Sequence, residues 1–466
     1  MASHQRTLHL NAFLMSTGHH EASWRLPESN PRASTDISHY RNLARIAERG
    51  TFDSIFFADS PVIFGNVGRR PAGKLEPTVL LTAIAAATEK IGLIATASTT
   101  YNDPFNLARR FASVDFVSAG RAGWNVVTTA GPDAARNFGV DDQPAHATRY
   151  ERAAEFLDVA GKLWDSWDDD AVVADKDAGV WADPDKVRPI DHVGKHFRVR
   201  GPLNVPRSPQ GYPLIVQAGS SEDGKGLAAR YAEAVFTAQQ TLEDAQSFYS
   251  DLKARTAAAG RDPEGIKILP GIVPVLAGTE AEAKKLEREL DELIRPEYAR
   301  IELAKTLGLS PDDLPLDRQL PADLPDEGSI QGAKSRYTLI VELGRRERLT
   351  VRQLIGRLAG AADTARSRAL RSRLPMPSGS GLKTARPTAS TSCPRCSPQG
   401  LGPLWTTWCR SCAGGACSGR NTQPTRCGGT TDRSARSTGT PVLPDWLART
   451  PKRGPPLGRA HAFAGS

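Results

Sequence analysis

Gly219, Ser220 and Ser221 in the segment AGSSEDGKG follow the apolar run YPLIVQ and precede a helical pattern. The glycine lets the backbone turn tightly, two hydroxyls follow, and a helix begins. A helix start offers free N–H groups and a positive dipole end to a phosphate. The same serines also suit a plain N-cap with no ligand. The loop is not a Walker A motif, because the G-x-x-x-x-G-K-[ST] spacing is absent. His146 and Tyr150 stand four apart on a predicted helix and so share a face. Read alone, they are a surface histidine beside a half-buried tyrosine. Metal ligation finds little support in the first 360 residues. His19 and His20 are adjacent and point apart, and Pro189 and Gly194 place His192 and His196 in a loop. Neither a G-x-S-x-G nucleophile elbow nor a Rossmann dinucleotide fingerprint is present.

These residues need a scaffold, and the scaffold is legible as an alternation. Short apolar runs take turns with amphipathic helical patterns, which predicts βαβ units and a parallel sheet. Leu8–Leu14 is the first predicted strand. Tyr40–Arg49 is helical and leads into FDSIFFADS, a buried strand ending at Asp59. PTVLLTAIAAATEK is a helix with Pro77 in its first turn, and IGLIATAST the third strand. FNLARRFASVDFVSAG is a helix, GWNVVTT the fourth strand. A helix then runs from about Ala145 to Trp167, with Phe156, Val159 and Leu163 on one face. Residues 168–210 are polar and read as an insertion. YPLIVQAGSS, AVFT and KILPGIVPVLAG are strands five to seven. Residues 280–350 hold charged helices and a Pro-rich loop, a second insertion. The eighth strand is missing where it would be expected.

The expected fold class is therefore α/β, a (β/α)₈ TIM barrel with insertions. In such barrels the active site lies at the carboxyl ends of the strands. Asp59, Thr96, Ser98, Thr99, Asn125, Thr128, Ser220 and Ser221 all fall there and predict a polar ring at one end. Each of them also suits a helix-capping role.

The chain has 466 residues, of which 39% are hydrophobic, ample for one large core. No secretory signal is visible, and no run reaches the roughly 18 apolar residues of a membrane span, so a cytoplasmic location is expected. The net charge of +8 is unevenly spread. Residues 361–466 carry 16 Lys+Arg against 3 Asp, leaving 44 basic against 49 acidic residues before them. All six cysteines also lie in this tail: Cys393, Cys396, Cys409, Cys412, Cys417 and Cys427. A cysteine-free body fits a reducing compartment.

The segments LHLNAFL, FDSIFFADSP, LEPTVLLTAIAAATEKIGLIATASTTYNDPFNLARRFASVDFVSAGRAGWNVVTT, HATRYERAAEFLDVAGKLWDSW and GPLNVPRSPQGYPLIVQAGSSEDGKGLAARYAEAVF occur in this order. Together, over about residues 7–360, they resemble the nitrilotriacetate monooxygenase component A group of the bacterial-luciferase-like flavin-dependent monooxygenases. Dibenzothiophene-sulfone and pristinamycin-type monooxygenases belong to the same group. The resemblance implies an FMNH₂-dependent monooxygenase, the oxygenase component of a two-component system. A separate NADH-dependent flavin reductase would supply reduced FMN, and O₂ would oxidise a small organic substrate through a peroxyflavin. Relatives commonly pair as homodimers. By similarity Asp59 would sit near the flavin ring, Thr96 or Ser98 would line it, and Asn125 would lie near its edge. His146 and Tyr150 would contact the cofactor, and Ser220 and Ser221 would hold its phosphate. No metal, membrane or nucleic-acid role follows for the body. A deazaflavin in place of FMN, and a flavin-binding barrel without catalysis, are the competing readings.

The tail departs from this pattern. Cys393-x₂-Cys396 and Cys409-x₂-Cys412 enclose twelve residues, close to zinc-ribbon spacing. With the basic surplus they would make a zinc-binding nucleic-acid module. A frameshift near Ala361 accounts for more. Shifted codons turn Asp363 to Pro394 into GHRTFAGTPEQLADALGxWFEDGAADGFNIMP, and Trp405 to Asn421 into VDHLVPELRRRGLFRTE. These strings resemble the family's closing helix, its GFNIMP-like eighth strand and its last helix. The cysteines are then former Leu, Val and Met codons. The expected domains are an incomplete barrel over 1–360 and an out-of-frame, largely disordered tail over 361–466. A barrel lacking its eighth strand exposes two edges, which would leave the chain unstable and inactive as written.

Overall fold

The computed structural model describes residues 7–359 except 64–66, 69, 130, 240 and 327–333, and the backbone of 365–370 and 390–392. The chain begins β1 (Asn11–Phe13), α1 (Ile37–Arg49), β2 (Ser54–Phe57), α2 (Pro77–Ala85), β3 (Gly92–Ser98), α3 (Pro104–Val117) and β4 (Ala122–Val127). Next come α4 (Pro132–Asn137) and α5 (His146–Trp164), then the hairpins β5 (Val172–Asp175) with β6 (Val180–Ala182) and β7 (His192–Val193) with β8 (Arg198–Val199). The series resumes with β9 (Leu214–Ala218), α6 (Glu222–Tyr231), β10 (Ala234–Thr237), α7 (Leu242–Ala258) and β11 (Lys267–Ala277). Four helices follow: α8 (Glu280–Glu292), α9 (Pro296–Leu307), α10 (Lys334–Arg346) and α11 (Val351–Ala359). Two segments close the list, β12 (Ala365–Leu370) and β13 (Ser390–Ser392).

The helices start where the sequence offers an acceptor. Asp36 caps α1, Glu76 caps α2 and Asp103 caps α3, with proline in the first turn of the last two. The seven expected strands all form and all pair in parallel, in the order β10-β9-β4-β3-β2-β1 with β11 against β10. Alternation sorts their side chains. Leu93, Ala95, Ala97, Trp124, Val126 and Ile215 point outward into one large core shared with the helices. Phe56, Ile94, Val216, Ala234 and Leu269 point inward and fill the barrel. The amino ends of the strands are pinned by polar side chains. Glu48 Oε1 accepts from the N–H groups of Glu89, Lys90 and Ile91. The Arg121 guanidinium donates to the carbonyls of Ala85, Thr88, Ile91 and Ser118.

The insertions are as expected in place but differ in kind. Residues 168–210 form the two small hairpins. Helices α9 to α11 build a core of their own, with Leu303, Leu307, Leu314, Ile340 and Leu354 buried together.

Among the described residues of the first 360, no strand follows β11 and no pairing joins β1 to β11 directly. The backbone of Ser390–Ser392 occupies the gap: Ser390 to Ser392 pair with Asn11 to Phe13, and Ser390 and Thr391 pair with Gly271 and Ile272. This amends the expectation of a barrel with two exposed edges. Ladder hydrogen bonds need backbone groups, not apolar side chains. Ala365–Leu370 adds a further parallel strand along Ile272–Ala277. The six tail cysteines, the zinc-ribbon spacing and the expected disorder of the rest of the tail lie outside the described residues.

Candidate active site

The inward row of the sheet changes character along its length. On β3 it runs from Ile94 to Thr96 and Ser98, and on β4 from Gly123 to Asn125. Thr96 and Asn125 are register partners, and Asn125 Nδ2 donates to Thr96 Oγ1 at 2.8 Å. Both are almost wholly buried, and Asn125 Oδ1 has no hydrogen-bond partner. A buried acceptor left unpaired costs roughly 1–3 kcal/mol, so an orphan here points to a group that arrives from outside. Ser98 has a local task as well, since its Oγ accepts from the Thr100 N–H at 3.1 Å. Thr99 Oγ1 donates to the Val127 carbonyl and is a structural tie.

Asp59 stands half-buried two residues beyond β2. Its carboxylate lies 3.7 Å from Lys74 Nζ, which also donates to the Ala58 carbonyl at 3.2 Å. Burial raises the Asp59 carboxyl above its ordinary range, against the pull of Lys74. Burial lowers the Lys74 ammonium in turn.

The remaining four expected residues come together where α5 and α6 begin. His146 Nδ1 donates to Asp223 Oδ2 at 2.8 Å, and the rings of His146 and Tyr150 lie 4.8 Å apart. The expectation that these two share a face is met, and the face is turned to α6. Ser221 Oγ accepts from the Gly224 N–H at 3.1 Å, so it does cap α6, while Ser220 is exposed beside it. Gly219 in this loop and Gly224 in the first turn of α6 are confined. A Cβ on Gly224 would lie 3.2 Å from Tyr150 Oη, and one on Gly219 would lie 2.5 Å from Gln217 Nε2.

Several residues of this end escaped the sequence reading. Gln217 is buried beneath the loop with Oε1 unpaired. It sits on the outward row of β9, where nothing in VQAGSS marks a polar core residue. His19, weighed only as a metal ligand, lies at the mouth instead. Its Nε2 donates to the Phe13 carbonyl at 2.9 Å, and its ring meets Phe13 edge-on at 4.6 Å. Phe13 in turn contacts Phe56 and Phe236. His20 points away to Asp291, as adjacency required. His192 lies on β7 rather than in the expected loop, and His196 lies in the turn between β7 and β8. His192 joins Lys162 to Glu155, and no metal-binding group of three or more His, Cys, Asp or Glu occurs among the described residues.

The site is thus a polar mouth above an apolar barrel, with orphaned buried acceptors and two helix N-termini at one side. It suits a flat, hydrogen-bonding ring with an anionic tail. Residues 13–323 match the family model for luciferase-like monooxygenases. The chain belongs to that family. Nitrilotriacetate monooxygenase component A of Aminobacter aminovorans is 47% identical over 370 residues, 77% of this chain and 81% of that one. N-acetyl-S-(2-succino)cysteine monooxygenase of Bacillus subtilis is 46% identical, covering 78% and 82%. EDTA monooxygenase from Chelativorans sp. superposes with a TM-score of 0.67 at 34% identity, over 86% of this chain and 94% of that one. A luciferase-like monooxygenase is a flavin-dependent enzyme, and the family's barrel is the one found here. Among the described residues no helix is long and apolar enough to cross a membrane.

His19 supplies a pH test of this mouth. Its enclosure pushes the imidazole down from 6.5 to about 4, although the Phe13 carbonyl pulls it back upward. The unfolded chain protonates near 6.5, so between these values it binds more protons than the fold. Stability contributed by neutral His19 is therefore full above that window and lost as pH falls through it. The denaturation midpoint of His19→Asn should fall less steeply than that of the parent over the window. Equal slopes would show a normally titrating histidine.

Proposed function

We propose that the chain is the oxygenase component of a two-component system, using reduced FMN delivered by a separate NADH-dependent flavin reductase to oxidise a small organic substrate. The observation that carries this reading is the buried pair Thr96–Asn125 with its orphan Oδ1, facing the same mouth as the Ser220–Ser221 loop. Reduced FMN, when bound, supplies the two electrons that let one atom of O₂ enter the substrate and the other leave as water. The protein supplies orientation and exclusion of water. Asn125 would accept a hydrogen bond from the ring edge, with Thr96 holding the amide in place. Ser98 would line the ring and Asp59, held by Lys74, would flank it. Ser220, Ser221, His146 and Tyr150 would hold the ribityl phosphate. Phe13, Phe56 and Phe236 form a dry wall, and His19 presents an uncharged imidazole to the substrate side.

A frameshift near Ala361 remains the best account of the tail. In the shifted frame residues 390–392 read Phe-Asn-Ile, the middle of GFNIMP. The strand pairing of Ser390–Ser392 between β1 and β11 puts those codons where an eighth strand belongs, which supports the reading. Sequencing the source DNA across codons 355–370 should reveal an inserted or missing base. An unchanged frame in both gene and transcript would mean that the gene itself encodes the tail as written, which would then be judged as protein in its own right.

Activity should require reduced flavin, O₂ and an organic substrate together. With ¹⁸O₂, product should carry one labelled atom. Ser220→Ala combined with Ser221→Ala should raise the half-saturating flavin concentration by about tenfold, the value of one or two charge-assisted hydrogen bonds. Product oxygen drawn from water, or turnover without flavin, would defeat the proposal. Flavin binding with peroxide as the sole product across a broad substrate panel would favour the non-catalytic alternative.

A further inference from the structure

Arg149 is a buried cation with no acidic partner among the described residues. It stands in the first turn of α5 and is 6% exposed. Nη1 donates to the Pro144 carbonyl at 2.8 Å, which folds the guanidinium back over the amino end of its own helix. Nε has no hydrogen-bond partner. Burial lowers the guanidinium below its ordinary range, the phenols of Tyr150 and Tyr101 act the other way, and among the described residues no acid is ion-paired with it. The placement is unfavourable twice over: a buried charge lacks its partner, and a cation sits at the positive end of a helix dipole.

The surroundings share the deficit. Ala145 precedes α5 without a side-chain cap, so the first-turn N–H groups of a 19-residue helix lack the usual acceptor. In the loop after β3, Thr100 Oγ1 and Tyr101 Oη are likewise buried and unpaired. Two donors, an open helix start and an uncompensated guanidinium call for one thing, an anion. The site of that anion is indicated by the start of α6, which the same end of α5 meets twice: His146 bonds Asp223, and Tyr150 Oη lies against Gly224.

We propose that Arg149 provides the counter-charge for the phosphomonoester of the flavin, so that the amino ends of α5 and α6 serve the same phosphate. This rests on the flavin reading above and assigns Arg149 a role in choosing FMN over riboflavin. Phosphate, unlike a carboxylate on the substrate, is present in one of these flavins and absent from the other, which makes the source separable.

The test is equilibrium binding of FMN and of riboflavin to the full-length protein, followed by quenching of flavin fluorescence, with the thermal midpoint of the flavin-free protein recorded in parallel. The parent should prefer FMN by roughly tenfold or more, as expected for a buried charge-assisted contact. Arg149→Gln, which keeps a donor for Pro144 but not the charge, should lose most of that preference with riboflavin affinity unchanged. Its flavin-free midpoint should be no lower than the parent's. Arg149→Lys should retain most of the preference. A parent that binds both flavins equally, or an Arg149→Gln protein that keeps the preference, would overturn the role of Arg149 alone. Equal loss of both flavins with a lowered midpoint would reduce Arg149 to a structural tie and also overturn it. A parent that binds neither flavin would remove the flavin reading itself.

Discussion

A parallel sheet has two open edges unless it closes, and everything at the mouth of this barrel depends on that closure. Each strand end is held in position by its neighbour's ladder, and the ring of residues around the mouth is only as fixed as the ring of strands below. Six of the junctions between consecutive strands are made by residues of the first 360. The last, between β1 and β11, rests on Ser390–Ser392. Three residues can satisfy the backbone groups on both sides. The sequence Ser-Thr-Ser has little apolar surface to add to a core otherwise built from Phe, Ile, Val and Leu.

Given a closed sheet, the mouth assembles from two regularities. Alternation carries the inward row from Ile94 to Thr96 and from Gly123 to Asn125, so the barrel becomes polar at one end. Strand-to-helix connections then point helix starts at the same end. The ties at the opposite end, at Glu48 and Arg121, each hold several backbone groups. The mouth keeps orphans at Thr100, Tyr101, Asn125, Arg149 and Gln217.

The sequence disclosed the first regularity well and the second only in part. Apolar runs of distinct length made the seven strands and their order plain, and the position just past each run singled out Asp59 and Ser221. Boundaries were less exact: the first strand shrinks to Asn11–Phe13, and α5 stops at Trp164, where Ser166 Oγ caps the Leu163 carbonyl. Arg149 was overlooked because HATRYERA reads as a polar helix start, and burial of an arginine comes from what packs over it. Gln217 was hidden by its neighbours in an apolar strand. His19 carried no periodic signal, since its place is set by a loop that folds over Phe13.

The central claim is that this mouth, and no other part of the barrel, holds a flavin. A crystal structure of the full-length protein with FMN tests it most directly. The account predicts one flavin per chain, its ring edge hydrogen-bonded to Asn125 Oδ1 and its phosphate at Ser220 and Ser221. A flavin found at the amino ends of the strands, or in the insertions with Asn125 Oδ1 still unpaired, would contradict it.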